Sequence, residues 1–102
     1  AVTASKPETA IVRAIMAYLG TLPRCWAFKV HGGPYQVAGI PDIVGCLDGR
    51  FFAIEVKVSG CKATRLQALT LSRIAACGGL AGVATSVEEA RMIIGAFTEV
   101  TR

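Results

Sequence analysis

Histidine is nearly absent from this sequence. His31 is the sole example, and the four cysteines, Cys25, Cys46, Cys61 and Cys77, stand too far apart for any CxxC pair. A structural zinc site is therefore not expected. Such scattered thiols in apolar surroundings read as small buried hydrophobes rather than disulfide partners, which suits a reducing cytoplasm. Long apolar runs are missing too. Pro, Lys, Arg or Asp interrupts every candidate stretch before the roughly 20 residues needed to cross a bilayer. The opening segment AVTASKPETA lacks the basic start and apolar centre of a secretory signal. A soluble chain with no membrane partner is the expectation. Neither GxGxxG nor GxxxxGK[ST] occurs, which argues against a loop cradling a small phosphorylated ligand. There is no Lys/Arg run, internal repeat, linker or low-complexity segment.

What remains is an ordinary globular composition. Hydrophobic residues make up 53% and charged residues 18% of 102 residues, far from the signature of disorder. A chain of this length can bury roughly 65% of its unfolded surface, enough for one core. Eleven Lys and Arg against seven Asp and Glu give a net charge of +4. Anionic partners are favoured, nucleic acid among them.

The pattern of elements is α/β. Ser5-Lys6-Pro7-Glu8 reads as a helix start, with Ser5 as N-cap and Glu8 at the capping-box position. Ile11, Val12, Ile15, Met16 and Leu19 follow at helical spacing until Gly20 and Pro23. Cys25 to Val30 has strand composition and ends in the turn signals His31-Gly32-Gly33-Pro34. Two strands, Ile40 to Leu47 and Arg50 to Val58, flank Asp48-Gly49, a dipeptide suited to a type I′ hairpin turn. Thr64 to Cys77 carries Leu66, Leu69, Leu71 and Ile74 at helical spacing and stops at Gly78-Gly79. Leu80 to Ala84 suits a buried strand, and Ser86-Val87-Glu88-Glu89 is a second capping box, opening a helix to about Ile94. The order is helix, three strands, helix, strand, helix, and the helical crossover implies parallel pairing of the last two strands.

The hairpin places charge where a core is expected. With Asp48 and Gly49 as the loop, Asp42 faces Glu55. Directly opposed residues share one face, with Cβ atoms about 4.5–5.5 Å apart, so two carboxylates are forced together. Lys57 projects from the same face, while Ile43, Ile54 and Val56 point to the other. An unpaired acid inside such a strand costs several kcal/mol, of the order usual for buried charges. Either Lys57 compensates as a simple ion pair, or a divalent cation does. Mg²⁺ suits one or two carboxylates, retained waters and phosphate oxygens. The Pro41-Asp42 step can also be read as a plain turn.

Together, Gly39-Ile40-Pro41-Asp42, the thirteen-residue step to Glu55-Val56-Lys57, and Gln67 in the next helix resemble the PD-(D/E)xK nucleases, above all the VRR-NUC family. The resemblance runs from about Glu8 to Ser86. It implies one nuclease domain over residues 1–102, with an αβββαβ restriction-endonuclease-like core of mixed sheet flanked by helices. It implies that Asp42, Glu55 and the Val56 carbonyl bind Mg²⁺ or Mn²⁺ and that Lys57 orients or activates water. Glu8 matches the family acid of the first helix, as metal-site helper or as helix cap. Gln67 matches the family glutamine, in the site or as a satisfied core amide. Arg50, Lys62 and Arg65 are candidates for DNA phosphates or are solvated surface. The implied activity is phosphodiester hydrolysis by a homodimer acting on branched DNA such as four-way junctions, in the cytoplasm of a bacterial or phage-infected cell. The alternative is a non-catalytic nucleic-acid-binding module of the same fold. Trp26, Phe28, Phe51 and Phe52 are apolar enough for a dimer face but are expected in the core. His31 carries no role in the mechanism.

Overall fold

The computed structural model describes residues 6–32 and 37–100. The elements come in the expected order: α1 (Lys6–Leu19), β1 (Cys25–Lys29), β2 (Ile43–Leu47), β3 (Arg50–Val56), α2 (Arg65–Ala76), β4 (Leu80–Ala84) and α3 (Val87–Val100). Ser5, Gly33 and Pro34, which carry the expected N-cap of α1 and part of the turn after β1, lie outside the described residues.

The sheet order is β1-β2-β3-β4, with both pairings of β2 antiparallel and β3–β4 parallel, as the helical crossover requires. Asp48 and Gly49 have φ of 52° and 83°, the two positive values a type I′ turn demands, and Leu47 pairs with Arg50. That turn fixes the register of the whole hairpin, because a slip of one residue would turn every side chain to the opposite face. β2 and β3 are shorter at the open end of the hairpin than their composition suggests. Asp42 stands just before β2, yet its carbonyl accepts from Val30 N–H at 2.8 Å, so the ladder runs on beside it.

Alternation then sorts the two faces. Ile43, Leu47, Phe52, Ile54, Val56 and Ala84 point to one side, where they meet Val12, Ile15 and Leu19 of α1 and Ala90 and Ile94 of α3 in one buried core. The other face carries Phe51, Ala53 and Glu55, and α2 is the helix packed there. α2 is well bounded. Thr64 caps its start in a full capping box with Gln67, and Gly78, at φ 97°, ends it. Gly79 N–H donates to Ile74 O and Gly78 N–H to Ala75 O, each at 3.0 Å, the two bonds of a Schellman motif.

Several expectations are corrected. α3 runs on past Ile94 through Gly95 to Val100, over a tail whose composition is ambiguous; one helical glycine costs only about 1 kcal/mol and does not stop it. The capping box at Ser86 is half made. Ser86 Oγ accepts from Glu89 N–H at 3.1 Å, but the Glu89 carboxylate reaches back one residue further, to the N–H and hydroxyl of Thr85. The thiols are not buried: Cys46, Cys61 and Cys77 are exposed and Cys25 is half-buried. Of the four aromatics expected in the core, only Phe52 is there. Trp26, Phe28 and Phe51 are exposed, because one helix of 12 residues cannot cover a whole face of four strands. Among the described residues, no helix is long and apolar enough to cross a membrane.

Candidate active site

The hairpin delivers its acids as its register requires. Continued beyond Ile43 and Ile54, it sets Asp42 opposite Glu55 and Pro41 opposite Val56. Proline has no N–H to give the ladder. The N–H of Val56, whose partner in a regular ladder is the Pro41 carbonyl, donates to the Asp42 carboxylate at Oδ2, 2.8 Å away. The carbonyl of Val56 points to the same side of its strand and meets no N–H from Pro41. The Val56 N–H thus locks the Asp42 side chain against β3, and the proline leaves the Val56 carbonyl without a ladder donor.

Glu55 is 3% exposed, the one charged residue buried among the described residues. Its Oε2 lies 3.6 Å from Lys57 Nζ, and its buried Oε1 has no hydrogen-bond partner. Burial pushes the Glu55 carboxyl up to about 7; the nearby charge of Asp42 adds to the rise and Lys57 opposes it. The ion pair with Lys57 is therefore present but leaves half of the carboxylate unsatisfied. A buried acceptor of this kind costs about 1–3 kcal/mol.

A divalent cation fits this donor set. The orphaned Oε1 of Glu55, the Asp42 carboxylate and the Val56 carbonyl are all hard oxygen donors, the kind that Mg²⁺ takes while retaining water. Two acids suffice for such an ion. Among the described residues, no three His, Cys, Asp or Glu side chains come together as a ready-made metal cage.

The other sequence candidates take different places. Glu8 is half-buried in the first turn of α1, a helix packed on the sheet face opposite Glu55, so it can approach the acid pair only around the end of the sheet. Gln67 is at the third position of α2, where its Oε1 accepts from Thr64 N–H at 2.8 Å and its own N–H donates to Thr64 Oγ1 at 3.2 Å. Its amide oxygen is committed to the helix cap, a role the Thr-x-x-Gln spacing signals. Arg50 donates from Nε to Gly78 O at 2.8 Å, tying the hairpin turn to the end of α2. Lys62 and Arg65 are exposed near the start of α2. Gly39 was legible as part of the motif but not for its packing. Its φ is 86°, and a Cβ there would come within 2.8 Å of Leu66 Cγ, so the loop carrying Pro41 and Asp42 is pressed onto α2.

No protein-family model and no curated protein matches this sequence. Solved structures do. A structure described as a VRR_NUC domain superposes with a TM-score of 0.70 at 20% identity, covering 87% of this chain and 95% of the other. A VRR_NUC domain protein superposes with a TM-score of 0.67 at 18% identity, covering 91% and 88%. At these identities the likeness is one of fold, and it spans nearly the whole of each chain: the protein has the restriction-endonuclease-like architecture of VRR_NUC domain structures.

Proposed function

We propose that this chain is a metal-dependent endonuclease that hydrolyses DNA phosphodiester bonds at the Asp42–Glu55–Lys57 cluster. The observation that carries the reading is the unsatisfied Oε1 of a buried Glu55 beside a second carboxylate. A fold maintained only for stability has no use for such a pair, whereas a cation removes both the repulsion and the unpaired acceptor. The fold it shares with VRR_NUC domains supports the same conclusion.

Asp42, Glu55 and the Val56 carbonyl would hold Mg²⁺ or Mn²⁺, with Glu8 approaching through water. When bound, the cation supplies Lewis-acid polarisation to water and phosphate. Lys57, tethered by Glu55, directs its ammonium at the same space. There it orients the attacking water and offsets the negative charge that grows on the phosphoryl oxygens in the transition state. Val56 N–H fixes Asp42, so the acid needs no rearrangement before binding metal. Gln67 supports the site by fixing the first turn of α2, and Arg50, Lys62 and Arg65 offer positive charge to the strand.

The substrate proposed is branched DNA, such as a four-way junction, cut by a homodimer. A two-fold pair presents two sites for paired strand cuts, and 102 residues alone offer little DNA-binding surface. Supporting the dimer is an apolar groove of about 640 Å³ whose lining includes Val37, Ile40, Phe51, Leu66 and Leu69, all exposed large hydrophobics.

The test is cleavage of a labelled four-way junction and a matched linear duplex with Mg²⁺, Mn²⁺ or EDTA. Metal-dependent cutting should fall by about 10²–10³ in Lys57→Ala, as for loss of a transition-state donor, and vanish in Asp42→Ala. A wild type that binds the junction without cutting it, with both variants binding equally, would instead identify a non-catalytic binding module.

A further inference from the structure

We infer that Trp26 and Phe28 form a stacking platform for unpaired nucleobases, set on the same sheet face as the carboxylate cluster. The inference deepens the nuclease reading and rests on it for the identity of the strand as substrate.

The two rings are the outward residues of the edge strand β1. Trp26 is 65% and Phe28 47% exposed, and their planes lie 3° from parallel with centroids 6.1 Å apart. His31 meets the Phe28 ring edge-on at 6.3 Å, extending the aromatic row along the strand. Register fixes which face they share. Trp26 pairs with Cys46 and through it with Phe51; Phe28 pairs with Val44 and through it with Ala53. Phe51 and Ala53 alternate with Glu55 on β3, so rings and acid project to one side. The next row of that face is Val30, Asp42 and Glu55, joined by the bond from Val30 N–H to Asp42 O. By strand spacing, Phe28 lies roughly 8 Å from Asp42 and 12 Å from Glu55. A strand whose phosphate occupied the acid pair could lay its neighbouring bases on these rings.

Charge selects the occupant. Residues 56–87, which hold α2, carry Lys57, Lys62, Arg65 and Arg73 with no acid, and residues 25–41 carry no acid either, Lys29 alternating with the rings to the α1 side of the sheet. Four of the seven acids, Glu8, Glu88, Glu89 and Glu99, belong to α1 and α3, the helices that pack on the opposite side of the sheet. Asp48 is tied to Arg24, which leaves Asp42 and Glu55 as the acids on the ring-bearing side. Exposed parallel rings on a face whose acids are confined to the Asp42–Glu55 pair, beside the basic stretch from Lys57 to Arg73, suit single-stranded nucleic acid, where bases stack and phosphates meet cations. A paired duplex keeps its bases stacked inside and offers the rings nothing. Substrates with an unpaired segment are thereby preferred.

Trp26 is the only tryptophan, so its fluorescence reports on the platform directly. The full chain is titrated in Ca²⁺, which occupies oxygen sites, with a thymidine 12-mer, an abasic 12-mer of equal charge and a short duplex. The thymidine strand should quench Trp26 saturably while the abasic strand and duplex do not. Phe28→Ala and, by anisotropy of a labelled strand, Trp26→Ala should each weaken thymidine binding roughly ten- to a hundredfold, with abasic binding unchanged and Trp26→Phe restoring most of the loss. Circular dichroism melts check that each variant is folded. Equal quenching by the abasic strand, or unchanged affinity in both variants, overturns the platform. So does emission that follows protein concentration instead of added strand, which would mark a contact between copies. Quenching by a wild type that never cuts DNA sinks the nuclease reading and leaves the platform standing; cutting without quenching does the reverse.

Discussion

Glu55 is a carboxylic acid whose burial has made its ionisation costly, and this has a measurable sign. Its carboxyl titrates near 7 in the folded chain against 4.5 in the unfolded one, so between those values the native state holds the proton more tightly. The Glu55 contribution to metal-free stability should therefore be fully present below 4.5 and be lost as pH rises from there through 7, by a total on the order of 3 kcal/mol. Urea melts in EDTA across pH 5 to 8 measure it directly. Glu55→Gln should flatten that slope, since the amide has no proton to lose. Added Mg²⁺ should stabilise the wild type increasingly above pH 7, where the carboxylate is free to bind it, and should not stabilise Glu55→Gln to the same degree. A wild-type stability that rises from pH 5 to 8 in EDTA would show that Glu55 is ionised without cost and has no need of a cation. The acid pair itself was readable from sequence because a two-residue turn and a period of two leave one register. The Val56 N–H bond to Asp42 was not, since it depends on how a side chain folds back where a proline interrupts the ladder.

Among the elements, α2 keeps its expected bounds but puts Gln67 in a place the sequence reading did not weigh. A polar residue on an apolar helical stripe invites a site or core role, yet Gln67 belongs to the third position of a helix whose N-cap is Thr64. Its spacing from Thr64 carried that information, and the hydrophobic stripe masked it. Thr64→Ala and Gln67→Ala should each lower stability by about 1 kcal/mol, the usual value of a lost cap contact. Gln67→Glu should keep the cap, because either side chain can accept from Thr64 N–H. If Gln67 acts only through the helix, activity will track stability across the three variants; a Gln67→Ala enzyme that is fully folded yet loses cleavage far beyond Thr64→Ala would give the amide a direct part. Gly39 holds the same helix to the loop that carries Pro41 and Asp42. Gly39→Ala meets both a positive φ and the Leu66 side chain, so a loss of about 1–3 kcal/mol is expected, with weaker cleavage as Pro41 and Asp42 shift. Burial along β1 was illegible for a related reason. Apolar residues on a strand predict a covering layer, but whether a helix reaches them depends on how many helices fall on each face. Here two cover one side and one covers the other.

For the whole molecule, that uneven cover leaves an apolar groove between α2 and the loop before β2, beside the open aromatic half of the sheet. If a second copy fills the groove, as proposed, a charge placed at its floor should separate the copies without unfolding either. Leu69 is 53% exposed, so Leu69→Glu should change monomer stability by no more than about 0.5 kcal/mol, as at other surface positions. The wild type should sediment at twice the 10.7 kDa chain mass and the variant at that mass. Consequences for cutting follow from symmetry. A dimer can open both strands of a junction in one encounter, so the separated chains should yield single nicks where the wild type gives paired cuts, although each retains its own Asp42, Glu55 and Lys57. A Leu69→Glu protein that stays at the wild-type mass moves the interface elsewhere. A wild type that sediments as one chain at micromolar concentration and still makes paired cuts removes the need for a dimer altogether, and two successive visits by a single site would then account for the products.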